Sequence, residues 1–218
     1  MSMSMTLEQV EALLPDFQYV DGDRIVLTVG FTASFCFWQG HTPAKRQAVV
    51  ECVEAFEAAY GDNLTWGCDP DSWETRWLAD SKLPRFRDYV RTLDEDDAIA
   101  WYVASGDDDE AANSYSLSCL TERGWMEGQM SSFRFQVPRS VIFDSAQQKV
   151  LSDFIYFCHA RLQPFHGQAG FSTITTEQGV TCPGSRKSWM SQRVIWRSMP
   201  DMNTTVHKAK TESRASIG

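Results

Sequence analysis

The stretch from Phe31 to Gly61, FTASFCFWQGHTPAKRQAVVECVEAFEAAYG, changes its hydrophobic period halfway along. Phe35 and Phe37 alternate with Ser34 and Cys36, a period of two that marks a strand with one buried face. Thr42 then stands as a helix N-cap with Pro43 at the first helical position, where a missing N–H is harmless. Val49, Val53, Phe56 and Tyr60 recur at three- and four-residue steps until Gly61 supplies the stop. A strand that feeds directly into an amphipathic helix implies a sheet with that helix laid on it, and the four side chains are expected to face the sheet.

On the N-terminal side, Arg24 to Phe31 is dense in β-branched and aromatic residues and forms with Thr32 to Trp38 either one long strand or a hairpin. Before it, Thr6 and Gln9 make a capping-box pattern that opens a short helix, which Pro15 closes. On the C-terminal side comes a Trp-rich acidic loop (Trp66, Asp69, Pro70, Asp71, Trp73, Trp77), then a short helix from Pro84 to Arg91. Asp97 to Ser105, Ser114 to Leu120 and Ser131 to Val137 read as strands with short connections, the pattern of an antiparallel meander. Ser145 to Leu162 reads as a second helix carrying Val150, Phe154, Phe157 and Arg161 on one face, and Phe171 to Thr175 as one further strand. The expected fold is α+β, an antiparallel sheet with helices packed mainly on one face. A single domain is expected over residues 1–198, with a polar, basic, disordered tail at 199–218.

Composition supports a real core. The 218 residues are 43% apolar and include eight Trp and thirteen Phe, far from the composition of disorder. No run approaches the ~20 apolar residues of a membrane span, and the start MSMSMTLEQVEALL lacks a secretory pattern, so the expected location is the cytoplasm. Six cysteines (Cys36, Cys52, Cys68, Cys119, Cys158, Cys182) stand singly, without CxxC pairs, and read as reduced structural thiols.

Charge is regional. Between Glu51 and Glu110 there are 17 acidic and 5 basic residues, a net of −12, although the whole chain carries only −9. From Ser185 to Gly218 the balance reverses, with 7 basic and 2 acidic residues. Nucleic acid is not a partner for the acidic region, because phosphate binding requires the opposite sign. The runs Asp94, Glu95, Asp96, Asp97 and Asp107, Asp108, Asp109, Glu110 flank one predicted strand and so fall at its opposite ends. Together with Asp69 and Asp71 they read as a docking surface for a basic protein, since complementary fields speed encounter and exclude wrong partners. Trp66, Trp73, Trp77 and Trp125 lie in loops or beside turn residues and are candidate anchors for the same contact.

Catalytic signatures do not occur. The chain has no GxSxG, no P-loop and no GxGxxG. His41, His159, His166 and His207 have no paired ligand spacing, and adjacent carboxylates without turn residues between them do not converge on a metal ion. Cys119 and Cys158 sit in apolar surroundings that raise a thiol pKa, which argues against a nucleophilic cysteine. No metal and no cofactor is expected. A different class of function is a small-molecule binder or enzyme using the acidic loop Trp66 to Trp77, with Trp66 and Trp73 stacking a ligand beside Asp69 and Asp71; it requires those four side chains to enclose a pocket.

Four separated blocks carry a resemblance. GHTPAKRQAVVECVEAFEAAYGDNLTWGCDPD (Gly40 to Asp71), YSLSCLTERGW (Tyr115 to Trp125), SSFRFQVPR (Ser131 to Arg139) and LQPFHGQAGF (Leu162 to Phe171) resemble the type VI secretion immunity family. The resemblance runs from about Ile25 to Phe171, and from Thr176 onward the sequence is expected to depart from the family pattern. It implies an α+β immunity protein that is not an enzyme, paired with a type VI effector toxin of the restriction-endonuclease-like class encoded nearby and neutralised by direct binding. It carries over no catalytic residue. An acidic, motif-free domain is what an inhibitor of a nuclease with a cationic DNA cleft should be, with charge mimicry as its mechanism. The oligomeric state is left open.

Overall fold

The computed structural model describes residues 17–80, 83–107, 111–126 and 128–175, together with residues 6, 9, 12 and 13. Its strands are β1 (Tyr19–Asp21), β2 (Arg24–Phe37), β3 (Trp66–Cys68), β4 (Thr75–Trp77), β5 (Ala100–Ala104), β6 (Ser116–Leu120), β7 (Ser131–Pro138) and β8 (His166–Thr175). Its helices are α1 (Pro43–Tyr60), α2 (Phe86–Thr92), α3 (Ser140–Phe143) and α4 (Ser145–Leu162). The expected tail and Cys182 lie outside the described residues, as does most of the N-terminal helix; its cap is visible, since Thr6 N–H donates to Gln9 and Gln9 N–H to the Thr6 hydroxyl.

Every described strand pairing is antiparallel, in the order β1-β2-β7-β6-β5-β3-β4, with β8 also on β2. Arg24 to Phe37 is one unbroken strand rather than a hairpin. Its length has a use, because β7 pairs with Gly30 to Phe37 on one edge while β8 pairs with Leu27 to Cys36 on the other. Leu27 stands opposite both Tyr19 and Thr175, so β1 and β8 take opposite edges of β2. β5, β6 and β7 form the expected meander.

The strand period decides which side chains meet the helices. Ala33, Phe35 and Phe37 on β2, and Phe133, Phe135 and Val137 on β7, are buried, with the alternating Arg134 exposed. Against them lie Val49, Val53, Phe56 and Tyr60, all buried, with the Phe56 ring 5.8 Å from Phe135. The Thr42 hydroxyl accepts the Lys45 N–H, as an N-cap should.

Helix α4 has its expected bounds but shows a different stripe. Leu151, Phe154, Cys158 and Leu162 are buried, whereas Val150 is exposed and Arg161 lies over the Phe157 ring while reaching Glu51 at 3.1 Å. Both stripes share Phe154 and both satisfy helical spacing. The choice falls to tertiary packing, with Phe154 wedged 4.9 Å from Phe135 and 5.6 Å from Phe56.

The Trp-rich loop is partly a hairpin, β3 and β4, which adds two strands to the sheet edge. Three residues per strand give almost no period to read. Gly67 permits the pairing, because a Cβ there would lie 2.8 Å from the Tyr102 carbonyl oxygen.

Candidate functional site

One end of the sheet gathers the loops that follow β2 and β6, the turn that precedes β5 and the start of β8. The acidic turn Asp94 to Asp97 is built there from its own residues. The Asp94 N–H donates to the Asp97 carboxylate at 3.0 Å, and the Asp96 N–H to the Asp94 carboxylate at 2.9 Å. Arg46, buried on α1, holds the turn from beneath by donating to the carbonyls of Leu93 (3.0 Å), Asp94 and Asp97 (2.7 Å). The guanidinium is therefore committed to backbone, and all four carboxylate side chains stay exposed.

Two close approaches tie this turn to its neighbours. Gly124 N–H donates to the Glu95 carbonyl at 2.9 Å, and a Cβ on Gly124 would lie 2.8 Å from Glu95 Cγ and 3.1 Å from its carbonyl oxygen. The second approach centres on Glu122, a buried carboxylate. It accepts the Gly40 N–H at 3.0 Å and the Ser131 hydroxyl, and His41 Nδ1 stands 3.6 Å away. Its own N–H donates to Ser131 Oγ, so the β6–β7 and β2–α1 connections are locked together through one side chain.

The β3–β4 loop reaches the same end. Asp69 accepts from the N–H groups of Asp71 (3.1 Å) and Ser72 (2.9 Å) and from the Ser72 hydroxyl. The Ser72 N–H is the main cause of a carboxyl held below its ordinary value. Arg76 adds ion pairs to Asp69 at 3.8 Å and Glu74 at 2.7 Å. Asp69 is thus a structural residue of the turn, whereas Asp71 is exposed. Burial raises the Tyr89 phenol, and the charges of Asp71 and Asp97 add to the shift.

The expected anchors divide. Trp66 is 1% exposed, with its indole N–H on the Ser105 carbonyl at 3.2 Å and its ring 5.4 Å from Tyr102. It is a core residue, and a solvent-facing role for it does not hold. Trp73 is half-buried at a left-handed φ of 60° inside the turn. Trp125 is exposed, one residue from Gly124, with the Arg123 guanidinium 6.0 Å over its ring. Asp107 is exposed at the opposite end of β5, five residues or roughly 17 Å away along the strand. Asp108, Asp109 and Glu110 lie outside the described residues.

The aromatic group that sequence reasoning missed sits at the acidic end. Trp38 (45% exposed) stacks on Phe165 (51% exposed) with centroids 4.5 Å apart and planes at 12°. Met130 immediately precedes Ser131, the β7 residue that pairs with Phe37, and is also exposed. The signal was faint, since Trp38 ends an apolar alternation that reads as core and Phe165 follows a proline.

A small-molecule site in the Trp66–Trp77 loop would need Trp66 to reach solvent, which its burial prevents. A groove of about 410 Å³ opens elsewhere, lined by His41, Arg46, Gln47, Arg87 and Glu95 among others. Arg87 is already held by Glu54 through two hydrogen bonds of 2.6 Å. Among the described residues no group of three His, Cys, Asp or Glu side chains could hold a metal ion, and burial raises the thiols of Cys119 and Cys158. No described helix is long and apolar enough to cross a membrane.

Comparison with curated proteins gives no match. Among solved structures the chain is similar to the Pseudomonas aeruginosa T6SS protein PA0821, with 21% identity and a TM-score of 0.67 over 78% of this chain and 51% of that one. At that identity the likeness is one of fold, and the chain spans about half the length of that protein. A family model described as type VI immunity for VRR-NUC matches residues 48–216. The match runs well past Phe171, where the quoted blocks end, and past Thr176, where a departure was expected. With three quarters of its length under that model, the chain belongs to the TsiV family of type VI immunity proteins.

Proposed function

We propose that this chain neutralises a VRR-NUC-type nuclease effector by direct protein contact, without chemistry of its own. The observation that carries the reading is the convergence of Asp71, Asp94, Glu95, Asp96, Asp97 and Trp125 at one end of the sheet, where Arg46 beneath the acidic turn donates to backbone carbonyls and leaves the turn's carboxylates exposed. Family membership supplies the partner class. A nuclease must present cationic groups to DNA phosphates, so an exposed acidic turn complements it in sign and speeds encounter.

The toxin's substrate is intracellular DNA, so the inhibitor acts in the cytoplasm. Asp107 lies at the far end of β5 and takes a smaller part than the sequence assigned to it. The test is co-expression of the full chain with the VRR-NUC protein encoded nearest to its gene. Survival of the cells, and a stable complex of the two purified proteins, is the expected result; cell death together with no complex overturns the reading.

A further inference from the structure

We infer that the energetic centre of the toxin contact is the stacked Trp38–Phe165 pair, with Met130 at the start of the neighbouring strand, and that the acidic turn forms its rim. The inference rests on the immunity reading above and goes beyond it by locating the buried anchor. Trp38, Phe165 and Met130 are 45%, 51% and 56% exposed and belong to three segments brought together by strand register. The planes of the two rings are nearly parallel at 4.5 Å.

A stacked aromatic pair in solvent buries its internal contact and still offers its outer faces. Its two rings hold each other's rotamers, so little conformational entropy remains to be lost on binding. Trp is strongly over-represented at positions that dominate binding energy, in particular where a polar rim excludes water around it. A chain of contacts joins the segment that carries Trp38 to the acidic turn. Gly40, two residues beyond Trp38, is bonded to Glu122, and Gly124, two residues further on, is bonded to Glu95 of the acidic turn.

The charge around the patch selects the occupant. Lys45, the lysine of α1, donates to the Leu162 carbonyl at 2.6 Å, Arg46 serves the acidic turn, and Arg123 lies over Trp125. Lys45 and Arg46 are thereby turned onto carbonyls, and the exposed Arg91 is paired with Asp88 at 3.4 Å, while the carboxylates of Glu95 and Asp96 face out. The surface fits a protein with an apolar recess bordered by Arg and Lys, such as the mouth of a DNA-cutting cleft. It does not suit a second copy of this chain, which would bring the same acidic rim against itself.

The experiment uses the full chain and a catalytically inactive form of the VRR-NUC protein encoded nearest to its gene, with binding kinetics measured for wild type and for Trp38→Ala/Phe165→Ala. The expected result is a Kd weakened about 30-fold or more, carried mainly by faster dissociation, with an unchanged melting temperature. In wild type, hydrogen exchange should slow on binding at residues 38–41 and 163–167, a readout that needs no variant. Wild type that binds while the double variant binds equally tightly, or protection confined to other segments, overturns the inference and leaves the immunity reading standing. No binding by wild type overturns both. Sedimentation of the chain alone as a dimer that the double variant dissociates assigns the patch to self-association and overturns the inference as well.

Discussion

Arg46 Nη2 donates to the Asp97 carbonyl at 2.7 Å, joining the first turn of α1 to the last residue of the acidic turn. A buried guanidinium that serves three carbonyls keeps four negative side chains in one place. The charged surface and the core are therefore coupled through this residue. Arg46→Ala should cost about 3 kcal/mol, since charge-assisted bonds are lost and buried carbonyls stay unpaired. Chemical denaturation measures it; a loss below about 1 kcal/mol would mean that water serves the carbonyls as well.

Phe56 is fully buried and touches Tyr60, Phe135 and Phe154 at centroid distances of 5.2 to 5.8 Å. Phe56→Ala should destabilise by about 3–5 kcal/mol through lost burial and a cavity. Thermal unfolding at the wild-type temperature would contradict the assigned face of α1.

The face of α1 was legible because its buried positions repeat over five turns between a Thr cap and a Gly stop, with every local signal in agreement. The stripe on α4 was not, because Val150 and Leu151 are both apolar and the sequence offers two faces sharing Phe154. Burial of Trp66 was hidden for a different reason: its strand is three residues long and its cover comes from Ser105 and Tyr102, nearly forty residues away. The acidic turn was visible as a charge run, whereas its convergence with Asp71 depends on a hairpin that has almost no period. Trp38 and Phe165 are 127 residues apart in sequence and meet only through the β2–β8 register.

Gly40 has no room for a side chain, as a Cβ would lie 2.1 Å from Ser131 Oγ and 2.9 Å from Thr121 Cβ. Gly40→Ala should destabilise by about 1–3 kcal/mol and dislodge the Glu122 carboxylate from its N–H donor. A crystal structure of the variant with Ser131 and Glu122 unmoved would refute this.

Two groups set opposite pH limits. Asp69 has a lowered folded pKa, so its contribution is complete above the ordinary carboxyl range near about 4 and is lost as pH falls through the folded value. Asp69→Asn should flatten the acid limb of the stability curve. Burial pushes the Tyr60 phenol from 10.0 up to about 12, so this group leaves stability unchanged below pH 10 and lowers it as pH rises from 10 through 12, where the unfolded chain ionises first. Its hydroxyl has no hydrogen-bond partner among the described residues, so Tyr60→Phe should be neutral or stabilising at pH 7 and should remove this alkaline loss. Unfolding curves from pH 3 to pH 12 compare the variants; acid and alkaline limbs identical to wild type would count against both assignments.

On the function proposed above, the acidic turn guides a cationic nuclease onto this end of the molecule. Glu95 and Asp96 are the residues to reverse, because the carboxylates of Asp94 and Asp97 are used within the turn. The decisive measurement is the association rate of the full chain with the inactive VRR-NUC partner at low and at physiological ionic strength, for wild type and for Glu95→Lys/Asp96→Lys. Wild type should associate at least about tenfold faster at low salt, and the double reversal should slow association and flatten that salt dependence while stability stays within about 0.5 kcal/mol. A double reversal that associates at the wild-type rate, with the same salt dependence and full protection of toxin-producing cells, would contradict the account.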